Sequence, residues 1–135
     1  MGARKRLRAQ EIKKDSISKS YASLRNCPTS PRKMRLVIDL IRGKEVNKAL
    51  DILRFTQKEA AKRVEKLLMS AISNWQNKNQ GERIEEAGLF VKETFVDSAQ
   101  MMKRMRPASK GIGHRILKRS NHVTIVLGSL NTNEN

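Results

Sequence analysis

The chain has 135 residues, 38% of them hydrophobic and only five aromatic, enough for one small domain with tails or arms. Lys and Arg total 29 against 13 Asp and Glu, a net charge of +16, and this field favours a bound polyanion. No run approaches the roughly 18 apolar residues of a membrane span. The basic start MGARKRLRAQEIKK leads into no apolar stretch, so it is not a secretory signal. The lone Cys27 forms neither an internal disulfide nor a cysteine metal cluster, which fits a reducing cytoplasm.

The charge is unevenly placed. Residues 1–44 hold 13 basic and 3 acidic side chains, residues 45–97 hold 9 of each, and residues 98–135 hold 7 basic and the single acid Glu134. A neutral middle is thus flanked by two strongly basic ends.

Residues 1–20 are polar, basic and without clear periodicity, which predicts an extension disordered on its own and open to ordering by a partner. Glu11 and Asp15 count against a transit peptide. YASLRN, from Tyr21 to Asn26, is a short strand candidate. SPRKMRLVIDLIRGK then predicts a helix over about Pro31 to Arg42, with Ser30 as N-cap, Pro31 at the first turn and Gly43 as the left-handed terminator. Met34, Val37, Ile38 and Ile41 recur at helical spacing, and Leu36 and Leu40 are expected to widen that stripe.

EVNKALDILRF predicts a second, short helix burying Val46, Ala49, Leu50 and Leu53. In the third helix, Thr56 and Glu59 stand at capping-box spacing. Ala60, Ala61, Val64, Leu67, Leu68, Ala71, Ile72 and Trp75 then keep a three-four rhythm, and QNKNQG is expected to stop it. LFVKETFVD, 89–97, and HVTIVLGS, 122–129, read as strands, and NTNEN as a loose tail. Helices segregated from strands predict an α+β class: three helices packed on a small antiparallel sheet. The expected organisation is an extension over 1–20, one domain over 21–129 and a tail over 130–135.

Between the last two strands lie 24 residues, too many for a turn and, as a structureless loop, too many for a compact domain. Both strands continued outward as a ribbon would reach about 40 Å at ~3.3 Å per residue. That exceeds the ~13–15 Å radius of a domain this size, so a hairpin arm over 98–121 protrudes from it. Its stretch MMKRMRPASKGIGHRILKR carries Lys103, Arg104, Arg106, Lys110, Arg115, Lys118 and Arg119, with no Asp or Glu. Such cations pair with phosphates irrespective of sequence. Pro107, Gly111 and Gly113 mark the tip, and Met101, Met102 and Met105 suit an irregular surface. Scarce aromatics argue against base stacking and for recognition of RNA shape and phosphate. A DNA-bending arm is also basic, Gly-rich and Pro-tipped, and composition alone does not separate the two.

Catalytic candidates are thin. His114 lies in the basic run and is suited to phosphate support, and His122 opens a strand as a structural residue. Cys27 precedes Pro28 without a recognisable partner, and Glu85 and Glu86 sit in a polar link. No glycine-rich phosphate loop or metal-ligand spacing occurs, so no enzyme, metal or cofactor is expected.

SPRKMRLVIDLIRGK, ALDILRFTQKEAAKRVEKLLMSAISN and VDSAQMMKRMRPASKGIGHRILKRSNHVTIVL together closely resemble the bacterial large-subunit ribosomal protein L-twenty-two family, over about Ala22 to Leu127. The resemblance implies three helices on a small sheet, a globular part near the exit of the nascent-peptide tunnel, and a hairpin running inward through ribosomal RNA. It implies RNA contacts by Arg25, Arg32, Lys33, Arg35, Arg42 and Lys44, and by Lys103, Arg104, Arg106, Lys110, His114, Arg115, Lys118 and Arg119. It implies a tunnel-lining tip of Met102, Lys103, Arg104, Arg106, Pro107, Ala108, Ser109, Lys110, Gly111 and Ile112. The implied partners are large-subunit RNA, neighbouring large-subunit proteins and the nascent peptide, with no membrane and no DNA, in the cytoplasmic ribosome, and the implied role includes subunit assembly. Members commonly read close to PRAKGRA where this chain has PASKGIG, so Ala108 and Ile112 stand where arginines are usual, and the 20-residue extension exceeds the common start.

Overall fold

The structure, a computed structural model, describes residues 2–80 and 83–130; the predicted loose tail 131–135 lies outside them. In chain order the elements are α1 (Gly2–Ser18), β1 (Ser20–Cys27), α2 (Pro31–Ile41), α3 (Val46–Phe55), α4 (Glu59–Lys78), a single turn α5 (Ile84–Ala87), β2 (Leu89–Ser98), β3 (Met102–Pro107), β4 (Gly113–Lys118) and β5 (Asn121–Ser129). The class is α+β as expected, with α2, α3 and α4 packed on a three-stranded sheet. The helical α1 and the turn α5 are additions to the expected count.

β5 is the central strand, antiparallel to β1 on one side and to β2 on the other. Its register sets the layers. Val123, Ile125 and Leu127 alternate onto the helical side and are buried. Against them pack Met34, Val37, Ile38 and Ile41 of α2, Val46, Ala49 and Leu53 of α3, and Val64, Leu68, Ala71 and Trp75 of α4. Leu50 and Ile72 pack at the margin of this cluster.

Boundary residues fall out in two ways. Pro31 opens α2, and Gly43, at φ 71°, ends it in the left-handed region that costs a glycine least. Ser30 occupies the N-cap with extended backbone, but its hydroxyl makes no capping bond. The capping box at Thr56 and Glu59 does not form either. Thr56 instead closes α3, its Oγ1 donating to the Ile52 carbonyl at 2.6 Å, and α4 begins after Lys58. Leu36 and Leu40 do not widen the buried stripe and are 55% and 45% exposed. At about 100° per residue they fall on the far side of α2 from Met34, Ile38 and Ile41.

α4 runs through Gln76 and Asn77 to Lys78, further than the poor helix formers suggested. The extension, expected to be disordered alone, is the 17-residue helix α1. Every described side chain on it is exposed, so this helix exists without a buried stripe.

Candidate nucleic-acid interface

The arm departs from the sheet at its root, where the Ala99 amide donates to the Ser120 carbonyl at 3.0 Å. Beyond it β3 and β4 form their own two-stranded ladder, separate from the main sheet. Two residues at the start of β5 tie the root to the end of β1 and the loop after it. Buried Asn121 donates through Nδ2 to the Thr29 carbonyl at 2.7 Å and to its Oγ1 at 2.8 Å. His122 Nδ1 accepts from the Asn26 amide at 3.0 Å, where Asn26 adopts φ 53°. His122 is therefore structural, as its position suggested.

The ladder pairs Met102 with Lys118, Lys103 with Leu117, Arg104 with Ile116, Met105 with Arg115, Arg106 with His114 and Pro107 with Gly113. No Lys or Arg stands directly opposite another. Each faces an apolar residue or a histidine, so direct cross-strand repulsion is avoided while the cation density stays high. Alternation places Met102, Arg104, Arg106, His114, Ile116 and Lys118 on one face, and Lys103, Met105, Pro107, Gly113, Arg115 and Leu117 on the other. Met105 accordingly leans across to Gly113, where an added Cβ would meet its Cε at 2.6 Å. Both faces combine cations with exposed apolar groups.

At the apex, Ala108 and Ile112 close the loop with a 2.7 Å amide-to-carbonyl bond. Lys110 (φ 60°) and Gly111 (φ 71°) follow one another in the left-handed region. That geometry costs a lysine about 1 kcal/mol and thrusts it outward at the tip. Ile112, at 57% exposure, packs against nothing that buries it, and Ala108 is half-buried. Ser109 and Lys110 are exposed with them.

The arm is exposed along both strands. None of Lys103, Arg104, Arg106, Lys110, Arg115, Lys118 and Arg119 makes an ion pair among the described residues. Arg104 bonds only locally, to the Lys103 carbonyl at 2.9 Å and to Met102 Sδ at 3.7 Å. Carboxylate pairing is instead found on the helical body. Arg63 holds Glu59 at 2.7 Å, and this bond keeps the Glu59 carboxyl below its ordinary range and Arg63 above its own. Arg54 meets Glu65 at 3.3 Å, and Lys48 meets Glu45 at 3.1 Å.

The body cations separate into two kinds. Arg25, Arg32, Lys33 and Lys44 are exposed and without ion pairs among the described residues. Arg35 and Arg42 are engaged. Arg35 donates to the Val96 carbonyl at 3.0 Å. Arg42 donates to Thr94 Oγ1 at 3.3 Å and to the Thr94 carbonyl at 3.4 Å, and pairs with Asp39 at 2.9 Å. β2 is an edge strand, and these guanidiniums satisfy the carbonyls that would otherwise be open. Gly43 and Lys44 cover the same edge further along, through 3.0 Å and 2.9 Å backbone bonds with Val91.

Sequence reasoning missed three features of this surface. Ile116 and Leu117 add exposed apolar area to the arm, 41% and 38% exposed. Leu36 and Leu40 do the same beside the α2 cations. Lys78, in a stretch read as a helix stop, reaches the end of α1, its Nζ donating to the carbonyls of Ile17 at 2.9 Å and Lys19 at 2.6 Å. The ladder alternation could have exposed the first, and a helical wheel the second. No local signal marks Lys78.

Among the described residues no group of three or more His, Cys, Asp and Glu could hold a metal ion, and no helix is long and apolar enough to cross a membrane. Cys27 is a buried free thiol whose Sγ lies 3.4 Å from Thr29 Oγ1.

Comparison with known proteins identifies the family. The sequence model of the family described as Ribosomal protein L22p/L17e matches residues 22–128. The large ribosomal subunit protein uL22 of Christiangramia forsetii is 60% identical over 134 residues, covering 99% of each chain. Its counterpart in Flavobacterium johnsoniae is 60% identical over 99% of this chain and 98% of its own. That of Porphyromonas gingivalis is 57% identical over the whole of both. A match over the helices, the sheet and the arm together, with full-length relatives of this identity, means that the chain belongs to the L22p/L17e family of ribosomal proteins, a family of structural proteins and not of enzymes.

Proposed function

We propose that the chain is a structural constituent of the large ribosomal subunit, in the cytoplasmic ribosome, and binds its RNA through the arm and the free cations of the body. The observation that carries this is the arm itself: an acid-free hairpin, exposed on both faces, whose seven Lys and Arg have no ion-pair partner among the described residues. An isolated two-stranded ribbon is marginal in water, so such an arm calls for a surrounding surface. Exposed Met, Ile and Leu interleaved with cations suit a surface that offers both phosphates and base or sugar edges. The full-length relatives are, by name, proteins of the large ribosomal subunit.

In this reading 21–129 acts as one unit, and Lys103, Arg104, Arg106, His114, Arg115, Lys118 and Arg119 contact RNA along the limbs. Arg25, Arg32, Lys33 and Lys44 contact it at the body, while Arg35 and Arg42 first hold α2 to β2 and contribute their remaining N–H groups. The tip, Met102 to Ile112, lines the nascent-peptide tunnel. There Lys110 is the forward cation, and Ala108 and Ile112 give a less cationic wall than the family pattern. Neighbouring large-subunit proteins and the nascent peptide complete its contacts, and holding several RNA segments together supports assembly. The test is co-sedimentation of the tagged native chain with large subunits through a moderate salt wash. Retention on the large-subunit peak is expected, and recovery in the soluble fraction or on small subunits alone would overturn the reading.

A further inference from the structure

We infer that α1 is a second RNA-binding limb, a helix held to the body at its C-terminal end by Lys78 and stabilised at its N-terminal end by the RNA it binds. The inference rests on the RNA-binding reading above and adds a site on residues that the family pattern does not cover.

The argument begins with what α1 lacks. It buries none of its described side chains, and its second half only flanks an open hollow of about 350 Å³ with Tyr21 and Val126. The helix therefore stands off the sheet. A 17-residue helix with no packed face is marginal in water. Its charge is also arranged against its own stability. Arg4, Lys5, Arg6 and Arg8 crowd the N-terminal half, and the first turn holds no acid, although that end of a helix is the positive one. A polyanion beside this end relieves both the mutual repulsion and the dipole.

The other end is already served. Lys78 sets an ammonium on the last carbonyls, at 2.9 and 2.6 Å, where a cation is favoured, and so joins the end of α1 to the end of α4. One end is fixed to the body, and the free end carries four of the helix's six Lys and Arg against two acids in the whole segment. The family pattern starts at residue 22, yet alignments with the full-length relatives cover 99% of this chain or more, so those relatives share the segment. The free end has the same character as the arm, clustered cations with no acid among them, so the partner is the same RNA rather than an acidic protein.

The test uses full-length protein with Arg4, Lys5, Arg6 and Arg8 all changed to Ala, titrated against refolded, protein-free large-subunit RNA over a range of KCl. A substitution set on exposed side chains outside the buried cluster leaves the body folded, which its thermal unfolding checks. Each lost phosphate contact flattens the plot of log affinity against log salt by roughly 0.7–0.9, so a slope smaller by about 3 is expected, with binding roughly tenfold weaker or more at 150 mM. A variant with Arg4, Arg6 and Arg8 changed to Lys keeps the wild-type slope. The control is Lys103→Ala with Arg104→Ala and Arg106→Ala on the arm. If the arm variant loses slope and the α1 variant does not, the inference fails and the proposed function stands. If neither loses slope, the proposed function fails as well. If the α1 variant binds RNA like wild type but fails to enter subunits once the other large-subunit proteins are added, the partner is a protein, and RNA binding by α1 is overturned.

Discussion

Removing the guanidiniums that cover the edge of β2 should destabilise the fold measurably. Arg35→Ala deletes one charged donor at 3.0 Å from the Val96 carbonyl. Arg42→Ala deletes two longer bonds to Thr94, at 3.3 and 3.4 Å, and the 2.9 Å pair with Asp39. Hydrogen bonds from charged donors contribute about 1.5–3 kcal/mol at best, and less when long and half-solvated. The Asp39 pair is half-exposed on both sides, and exposed ion pairs contribute about 0–1 kcal/mol. About 1 kcal/mol for each arginine is the reasonable sum, or about 2 kcal/mol for the double variant. For a chain of 135 residues that lowers Tm by roughly 8 °C. Thermal unfolding followed by circular dichroism reads it. Arg42→Lys sharpens the test, because an ammonium retains the charge but cannot fork between the Thr94 hydroxyl and carbonyl. It should show most of the stability loss of Arg42→Ala with little change in RNA affinity. Lys44→Ala, which removes a side chain without an ion pair among the described residues, should do the reverse. A double variant melting within a degree of wild type would refute the clamp.

Three further outcomes follow from the same geometry. Deleting 102–104 should leave Tm within about 2 °C of wild type, because no arm residue belongs to the buried cluster; cooperative unfolding lost on circular dichroism would show that the arm is part of the core. Gly111→Ala should weaken the hairpin by about 1 kcal/mol through its φ of 71° alone, since an added Cβ meets nothing within 4 Å; an unchanged NMR signature of the apex would contradict this. The Glu59 carboxyl is held below its ordinary range, chiefly by the Arg63 bond. The stability it contributes is therefore present above the ordinary value of 4.5 and disappears as pH falls through its lower folded value. Wild type and Glu59→Gln should differ at neutral pH and converge in strong acid, and divergence on acidification would reverse the sign.

Much of this arrangement was legible in the sequence, because apolar spacing sees one element at a time and most of these elements are regular. Met34, Val37, Ile38 and Ile41, or the eight positions from Ala60 to Trp75, announce their helices whatever surrounds them. The arm was legible for a different reason: 24 residues between two strands, free of acids, have few physical options. What failed was finer. Ser30 and Thr56 have the right chemistry for caps, but the backbone offered Thr56 the Ile52 carbonyl of the helix before it. Leu36 and Leu40 neighbour the stripe along the chain, but their angular position on α2 excludes them from it. Arg35 and Arg42 look like any surface cations until β2, 61 and 52 residues later, is laid beside them. The helical α1 has no periodicity to read, and among the described residues nothing buries it.

The account turns on whether the arm is supported by its own chain or by RNA. Amide hydrogen exchange across 103–116, measured on the free protein and again on the protein bound to large-subunit RNA, addresses this most directly. The ladder is exposed and separate from the buried cluster. Rapid exchange across the arm in the free protein, against a protected β5, and strong slowing on binding RNA is the predicted result. Protection of 103–116 in the free protein as deep as that of β5, or an arm that exchanges equally fast with RNA present, would contradict it.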